Sequence, residues 1–320
     1  MKRILLIQTA FLGDVILATP VLAELKRLFP TAQIDILVKK GNEGLLQNNP
    51  HLTSVYTFEK KKGKFREIIR LIKLFNKSHY DLAVNLHRFG SSGLLTLFSG
   101  AKEKIGFSKN PFSFAYSKKF DHKIVDGTHE VERNLALIKE YGAVSVRRPE
   151  LFPSQNHFDK IEKYCQDDYY CIAPASVWYT KQLPVEKWIE LIAKKAKESN
   201  IYLIGGTQDR ILCDSIIKEV KEKNVFNLCG ELNLLESAAL ISKSKRSFVN
   251  DSGPLHIASA MNAPVTAFYC STIPEFGFGP LSEDATIIQI RENLSCRPCG
   301  LHGQKACPER HFKCGFGIKI

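Results

Sequence analysis

The chain has 320 residues, 44% of them hydrophobic and 24% charged; at roughly 150 residues per domain the length favours two domains, and the balance excludes disorder, collagen-like repeats and coiled coil. No apolar run reaches the roughly 18 residues that a membrane span requires. The net charge of +12 is unevenly shared: residues 1–150 hold 25 Lys and Arg against 14 Asp and Glu, net +11, and residues 151–320 hold 20 against 19, net +1.

The N-terminal Lys2-Arg3 and the apolar Ile4–Ile7 have the look of a secretory signal. The apolar stretch stops at Gln8, an acid follows at Asp14 and no small-residue cleavage site appears, so the segment reads as a first β-strand. Apolar runs alternating with helix-period segments then recur, the pattern of parallel βα units. The first half predicts strands at Ile4–Gln8, Gln33–Val38, Ser54–Phe58 and Asp81–Leu86, with helical segments such as Asp14–Leu28 and Lys64–Asn76. The second half predicts strands at Tyr169–Ala173, Ile201–Ile204, Val225–Leu228, Ser247–Asn250 and Val265–Tyr269, with helices such as Val185–Lys197 and Gln208–Lys221. Between a helix ending near Tyr141 and the next domain, Gly142–Gln155 carries Pro149 and Pro153 with little periodicity and reads as a linker, dividing the chain into 1–150 and 151–320. Two doubly wound α/β sheets follow, with ligands expected at the carboxyl ends of their strands and in the cleft between them. Of the nine cysteines, Cys165, Cys171, Cys213, Cys229 and Cys270 are scattered like small core residues, which suggests a reducing cytoplasm.

Three loops carry chemistry. In Gln8–Asp14, leading from the first strand into the first helix, Gly13 allows backbone to approach a ligand and Asp14 offers a carboxylate as general base, or simply caps the helix. The glycines of a dinucleotide fingerprint are missing from this turn. In Val249–Ala258 a strand runs into Asp251-Ser252-Gly253-Pro254, where Pro254 opens a helix whose N-terminal amides and dipole suit a pyrophosphate, unless it is a plain crossover helix. His256, one turn into that helix, could donate to the same anion. In Ala173–Pro184, Lys181 stands before a helix where it can meet phosphate oxygens as a point charge, or remain solvated at the surface.

These segments, in this order, resemble the glycosyltransferase family 9 heptosyltransferases, ADP-heptose:lipopolysaccharide enzymes of Gram-negative bacteria. The likeness rests on Gly13-Asp14-Val15 with Thr19-Pro20, on Lys181 before Pro184, and on Asp251-Ser252-Gly253-Pro254-Leu255-His256, and it spans nearly the whole chain. It implies a GT-B fold of two Rossmann-like domains, inversion at the anomeric carbon, and no cofactor or metal requirement. By the same likeness Asp14 is the base in an acceptor-binding domain. Lys181 and the Ser252 and Gly253 amides hold the donor diphosphate, Asp251 contacts the sugar, Ser176 supplies a hydroxyl near the phosphates, and Glu236 binds the nucleotide ribose. Asn233-x-x-Glu236 also has the form of a capping box. Relatives often have Lys-Arg-Trp-Pro where this chain has Lys181-Gln182-Leu183-Pro184, which puts a second basic contact in doubt.

Cys296, Cys299, Cys307 and Cys314 close the second domain; their clustering invites a structural zinc, a disulfide or free thiols. In the basic half, Lys60-Lys61-Lys62-Gly63-Lys64-Phe65-Arg66 leads into Ile68, Ile69, Leu71, Ile72, Leu74 and Phe75, with Arg70, Lys73 and Lys77 opposite. This is a basic amphipathic helix suited to an anionic membrane or to packing on the sheet with a solvated outer face. Phe107–Lys119 adds a basic, aromatic stretch expected as a loop. No RNA-binding signature appears, so nucleic acid is not an expected partner. The expected activity is transfer of heptose from ADP-L-glycero-D-manno-heptose to a lipid A-linked inner core, the enzyme lying peripherally at the cytoplasmic face of the inner membrane. Another nucleotide sugar or glycan acceptor, or a non-catalytic nucleotide or nucleic-acid binder, are the alternatives.

Overall fold

A computed structural model describes every residue except Val125 and Val146, and of Lys62 the backbone alone. Val146 falls in the expected linker and the Lys62 side chain in the basic run; both lie outside the described parts. The chain forms two compact units, Met1–Phe152 and Pro153–Ile320.

In the first unit the strands are β1 (Arg3–Gln8), β2 (Gln33–Lys39), β3 (Ser54–Phe58), β4 (Leu82–Asn85), β5 (Glu103–Phe107) and β6 (Lys118–Phe120). The helices are α1 (Leu12–Ile16), α2 (Thr19–Leu28), α3 (Lys64–Ser78), α4 (Gly90–Leu97) and α5 (Glu130–Ala136). The sheet order is β3-β2-β1-β4-β5-β6, parallel throughout. Ile4 pairs with Ile34 on one side and Leu82 on the other. A parallel sheet covered on both faces needs strands apolar on both faces, and Ile4, Leu5, Leu6 and Ile7 are fully buried. Ile68, Leu71 and Phe75 of α3 close one core over Leu5, Ile7 and Leu37.

The second unit holds β7 (Tyr169–Ala173), β8 (Asn200–Leu203), β9 (Val225–Asn227), β10 (Arg246–Asn250), β11 (Val265–Tyr269) and β12 (Ala285–Gln289). Its helices are α6 (Gln155–Ile161), α7 (Val185–Lys195), α8 (Arg210–Val220), α9 (Leu234–Lys243), α10 (Gly253–Ala260) and α11 (Lys313–Phe316). The order β12-β11-β10-β7-β8-β9 repeats the first sheet's topology, again all parallel. Trp188 of α7, fully buried, meets Phe268 of β11 edge-on at 5.3 Å. Each sheet therefore has the Rossmann strand order, which reverses direction between β1 and β4 and between β7 and β10.

Several elements differ from the sequence expectation. The single helix over 14–28 is two helices, because Pro20 lacks an N–H and its ring excludes the carbonyl four residues back. That carbonyl, on Ile16, is taken instead by the Thr19 hydroxyl at 2.8 Å. The stretch expected as a loop over 107–119 contains part of β5, a short 3-10 turn at Ser113–Ala115 and the start of β6. Ile69 of α3, grouped by its periodicity with the buried face, is exposed. Among the described residues no helix is long and apolar enough to cross a membrane.

Candidate functional site

At the carboxyl edge of the first sheet, the loops after β1 and β4 meet where the strand order reverses. Thr9 Oγ1 and His87 Nδ1, one from each loop, are 2.8 Å apart. Asp14 stands in the third position of α1, partly buried, and its Oδ2 accepts the Phe11 N–H at 3.1 Å. The carboxylate thus caps the helix and also faces the sheet edge. Burial, reinforced by the nearby negative charge of Glu130, pushes its pKa up to about 6, against the pull of the Phe11 N–H and of Arg88. A carboxyl poised there can take a proton near neutral pH.

Sequence reasoning overlooked the groups behind Asp14. Glu130, at the start of α5, is buried and receives Arg133 Nε at 2.8 Å. It also lies 3.0 Å from His122 Nε2, and the other ring nitrogen of His122 is 3.3 Å from Arg88 Nη1. An arginine beside Nδ1 and a carboxylate beside Nε2 favour the tautomer that carries its proton on Nε2. Burial, with Lys60 and Arg88 adding to it, drops the His87 pKa to about 4. The available signal was position, since His87 and Arg88 directly follow the predicted strand Asp81–Leu86.

At the matching edge of the second sheet, Lys181 follows β7 and Asp251 follows β10. Lys181 Nζ and Asp251 Oδ2 are 2.6 Å apart, and the same oxygen accepts the Thr272 hydroxyl at 2.7 Å. Ser252 precedes α10 in extended backbone and does not cap it with its side chain; its hydroxyl points back to the Asn250 carbonyl, at 3.4 Å. The first-turn amides of α10, beginning at Gly253, thus lie next to a lysine, an arrangement able to hold an anion. His256 is buried within α10. Ser176 lies in the same loop as Lys181, its carbonyl accepting Gln182 Nε2 at 2.7 Å. Glu236 opens α9 beyond β9, where Oε2 accepts the Asn233 N–H and Oε1 receives Lys160 Nζ, both at 2.8 Å. The capping box is therefore formed, and Glu236 is tied to Asn233 and Lys160.

Two further features hold the Lys181 loop. Asn250 accepts the Leu183 N–H at 2.8 Å and donates to the Pro174 carbonyl at 2.8 Å, stapling both ends of the loop to β10. The cysteine-rich segment then braces its middle. The Gln304 N–H donates to Thr180 Oγ1 at 2.7 Å, the Cys299 N–H to the Ser271 carbonyl at 2.9 Å, and Arg297 to the Cys270 and Thr272 carbonyls at 2.6 and 2.7 Å. Among the described residues no three or more His, Cys, Asp or Glu side chains are arranged to hold a metal ion, and all nine cysteines are free thiols.

The profile of "Glycosyltransferase family 9 (heptosyltransferase)" matches residues 68–308. Lipopolysaccharide heptosyltransferase 3 of Escherichia coli strain K12 is 28% identical over 276 residues, 81% of this chain and 80% of that one. Among solved structures, E. coli ADP-heptose lipopolysaccharide heptosyltransferase II superposes with a TM-score of 0.80 at 22% identity, covering 98% of this chain and 97% of the other. An E. coli heptosyltransferase with bound ADP gives 0.74 at 19% identity, covering 89% and 92%. The two Rossmann-type units are those of a GT-B fold, and the chain belongs to glycosyltransferase family 9, the heptosyltransferases.

Proposed function

We propose that the protein is an inverting heptosyltransferase that moves heptose from ADP-L-glycero-D-manno-heptose to the inner core of a lipid A-linked acceptor, working peripherally at the cytoplasmic face of the inner membrane of a Gram-negative bacterium. The observation that carries this reading is the Lys181–Asp251 pair at 2.6 Å beside the N-terminus of α10. In it, Lys181 and the Ser252 and Gly253 amides hold the donor diphosphate, aided by His256 and Ser176. Asp251 meets the sugar, and Glu236 reaches the ribose once its tie to Lys160 yields. Departure of ADP concentrates charge on a phosphate oxygen, and donors already fixed in place stabilise it. Asp14 takes the proton of the acceptor hydroxyl. The hydroxyl oxygen bonds to the anomeric carbon from the face opposite the diphosphate, and the bond from that carbon to the phosphate oxygen breaks.

The test is a thermal-shift screen of nucleotide sugars, followed by transfer to heptose-deficient lipopolysaccharide read by mass spectrometry. ADP-heptose should raise the melting temperature and add one heptose mass to the acceptor. A different nucleotide sugar giving the only shift would move the donor assignment within the family; no shift from any would end the transferase reading.

A further inference from the structure

Ile69 does not pack where its periodicity suggested. It is 56% exposed, Phe65 one turn before it is 74% exposed, and both lie on the outer side of α3. Further along the same face Asn76 donates its side-chain amide to the Phe98 carbonyl at 3.0 Å, so the backbone of Phe98, 49% exposed, lies beside the C-terminal part of α3. Phe65 and Ile69, one turn apart, form an exposed apolar pair on α3, and at 1.5 Å rise per residue Asn76, beside the Phe98 backbone, lies about 16 Å from Phe65 along the helix. Around it Lys61, Lys64, Arg66, Lys73 and Lys77 are all exposed. The one acid of α3, Glu67, is paired with Arg70 at 2.9 Å. Solvated crossover helices normally turn only polar groups outward; exposed apolar side chains between cations are the pattern of a helix lying in an anionic interface.

We propose that the outer face of α3, with Phe65, Ile69 and Phe98 as the inserting side chains and the surrounding lysines and Arg66 as the electrostatic contact, docks this protein on an anionic lipid bilayer. The inference deepens the proposed function by naming the surface that would bring the enzyme to a lipid-linked acceptor. Because α3 follows β3, its N-terminus, carrying Phe65, starts at the carboxyl edge of the first sheet, the edge that holds Asp14. Charge complementarity favours a bilayer over an apolar protein groove, since phosphatidylglycerol headgroups neutralise the flanking cations while acyl chains receive the aromatic rings.

The experiment is flotation of the full chain with vesicles of phosphatidylglycerol and phosphatidylethanolamine, and with phosphatidylcholine alone. The wild type should float with the anionic vesicles and much less with the neutral ones. Phe65→Ser/Ile69→Ser should lower the partition coefficient roughly tenfold, and Arg66→Gln/Lys73→Gln/Lys77→Gln should weaken binding and flatten its salt dependence. All three serine-targeted positions are exposed, so the melting temperature should hold, and Phe98→Ser is a second apolar variant should the double variant prove unstable. Flotation of the serine variants at wild-type levels overturns the proposal, as does a wild type that ignores anionic vesicles. A dimer that dissociates in the serine variants without any vesicle binding assigns these side chains to self-association and overturns it too. Failure of ADP-heptose to shift the melting temperature bears on the transferase reading alone and leaves the flotation result standing.

Discussion

Lys181 and Asp251 share a contact of 2.6 Å, with only 15% and 8% of their side chains exposed. The carboxylate offsets the charge of this lysine, and in the proposed function an arriving diphosphate would exchange part of that contact for phosphate oxygens. Lys181→Met removes a charged donor worth about 1.5–3 kcal/mol, so donor Kd should rise roughly ten- to a hundred-fold by calorimetry. It also strands the Asp251 carboxylate with Thr272, so some loss of melting temperature should accompany it. Lys181→Arg should keep the charge, hold the melting temperature better and bind donor at an intermediate affinity. Unchanged donor Kd in Lys181→Met would remove the lysine from the donor site.

Gly303 reaches the Lys181 loop from the cysteine-rich segment. Its φ is +74°, and an added Cβ would lie 2.8 Å from Lys181 Cγ and 3.1 Å from Thr180 Oγ1. Gly300, at φ +76°, has only Gln304 Nε2 nearby, at 3.9 Å. Both alanine variants carry the left-handed backbone penalty of about 1 kcal/mol, but only Gly303→Ala also pushes on the lysine. Donor KM should rise several-fold in Gly303→Ala and stay near wild type in Gly300→Ala, with similar melting temperatures. Equal KM values in the two would mean the segment braces the fold without reaching the site.

What the sequence disclosed follows from which interactions are local. β3, β7 and β11 are five-residue runs rich in β-branched and aromatic residues, and each was read at the limits the structure gives it. β6 is a three-residue Lys-Lys-Phe edge strand whose lysines are exposed, and so short and charged an edge carries no apolar signature. Asp14, Lys181 and Asp251 were readable because each stands in a loop or first helical turn after a predicted strand. Asn250 was not, since its partners Pro174 and Leu183 come from a loop distant in sequence. Nor was Glu130, whose importance arises only when α5 brings it near Asp14. The net charge of +11 on residues 1–150 and its concentration along the helix of Lys64–Asn76 were both legible, whereas the exposure of Ile69 on that helix was not.

That charge asymmetry sets a salt test. The proposed donor contacts Lys181 and Asp251 lie in the half with net charge +1 and are mostly buried, whereas cations of the first half such as Arg66, Lys73 and Lys77 are exposed and screened over a Debye length of about 10 Å at 0.1 M salt. Raising sodium chloride from about 50 to about 300 mM should lift KM for a phosphorylated lipid-linked acceptor about five-fold or more and KM for donor by less than about two-fold. Equal sensitivity of the two constants would detach the basic half from the acceptor.

The pH profile tests Asp14 most directly. Its pKa is raised to about 6, mainly by burial and then by the charge of Glu130. A general base works only when ionised, so kcat/KM should fall about tenfold per unit below pH 6 and level off above about pH 7. His87, held down near 4, stays neutral through this range and does not produce the limb. Glu130→Gln removes a negative neighbour and leaves Arg88 and Arg133 less opposed, so Asp14 should ionise more readily and the acid limb should move to lower pH. The same change breaks the contacts of Glu130 with His122 at 3.0 Å and Arg133 at 2.8 Å, so stability falls as well. The position of the limb is independent of how much protein is folded, which separates tuning of the base from a purely structural role. Asp14→Asn should lower kcat by about two to four orders of magnitude, leave donor Kd unchanged and abolish the limb. A limb that survives in Asp14→Asn, or stays in place in Glu130→Gln, would mean that another group accepts the proton.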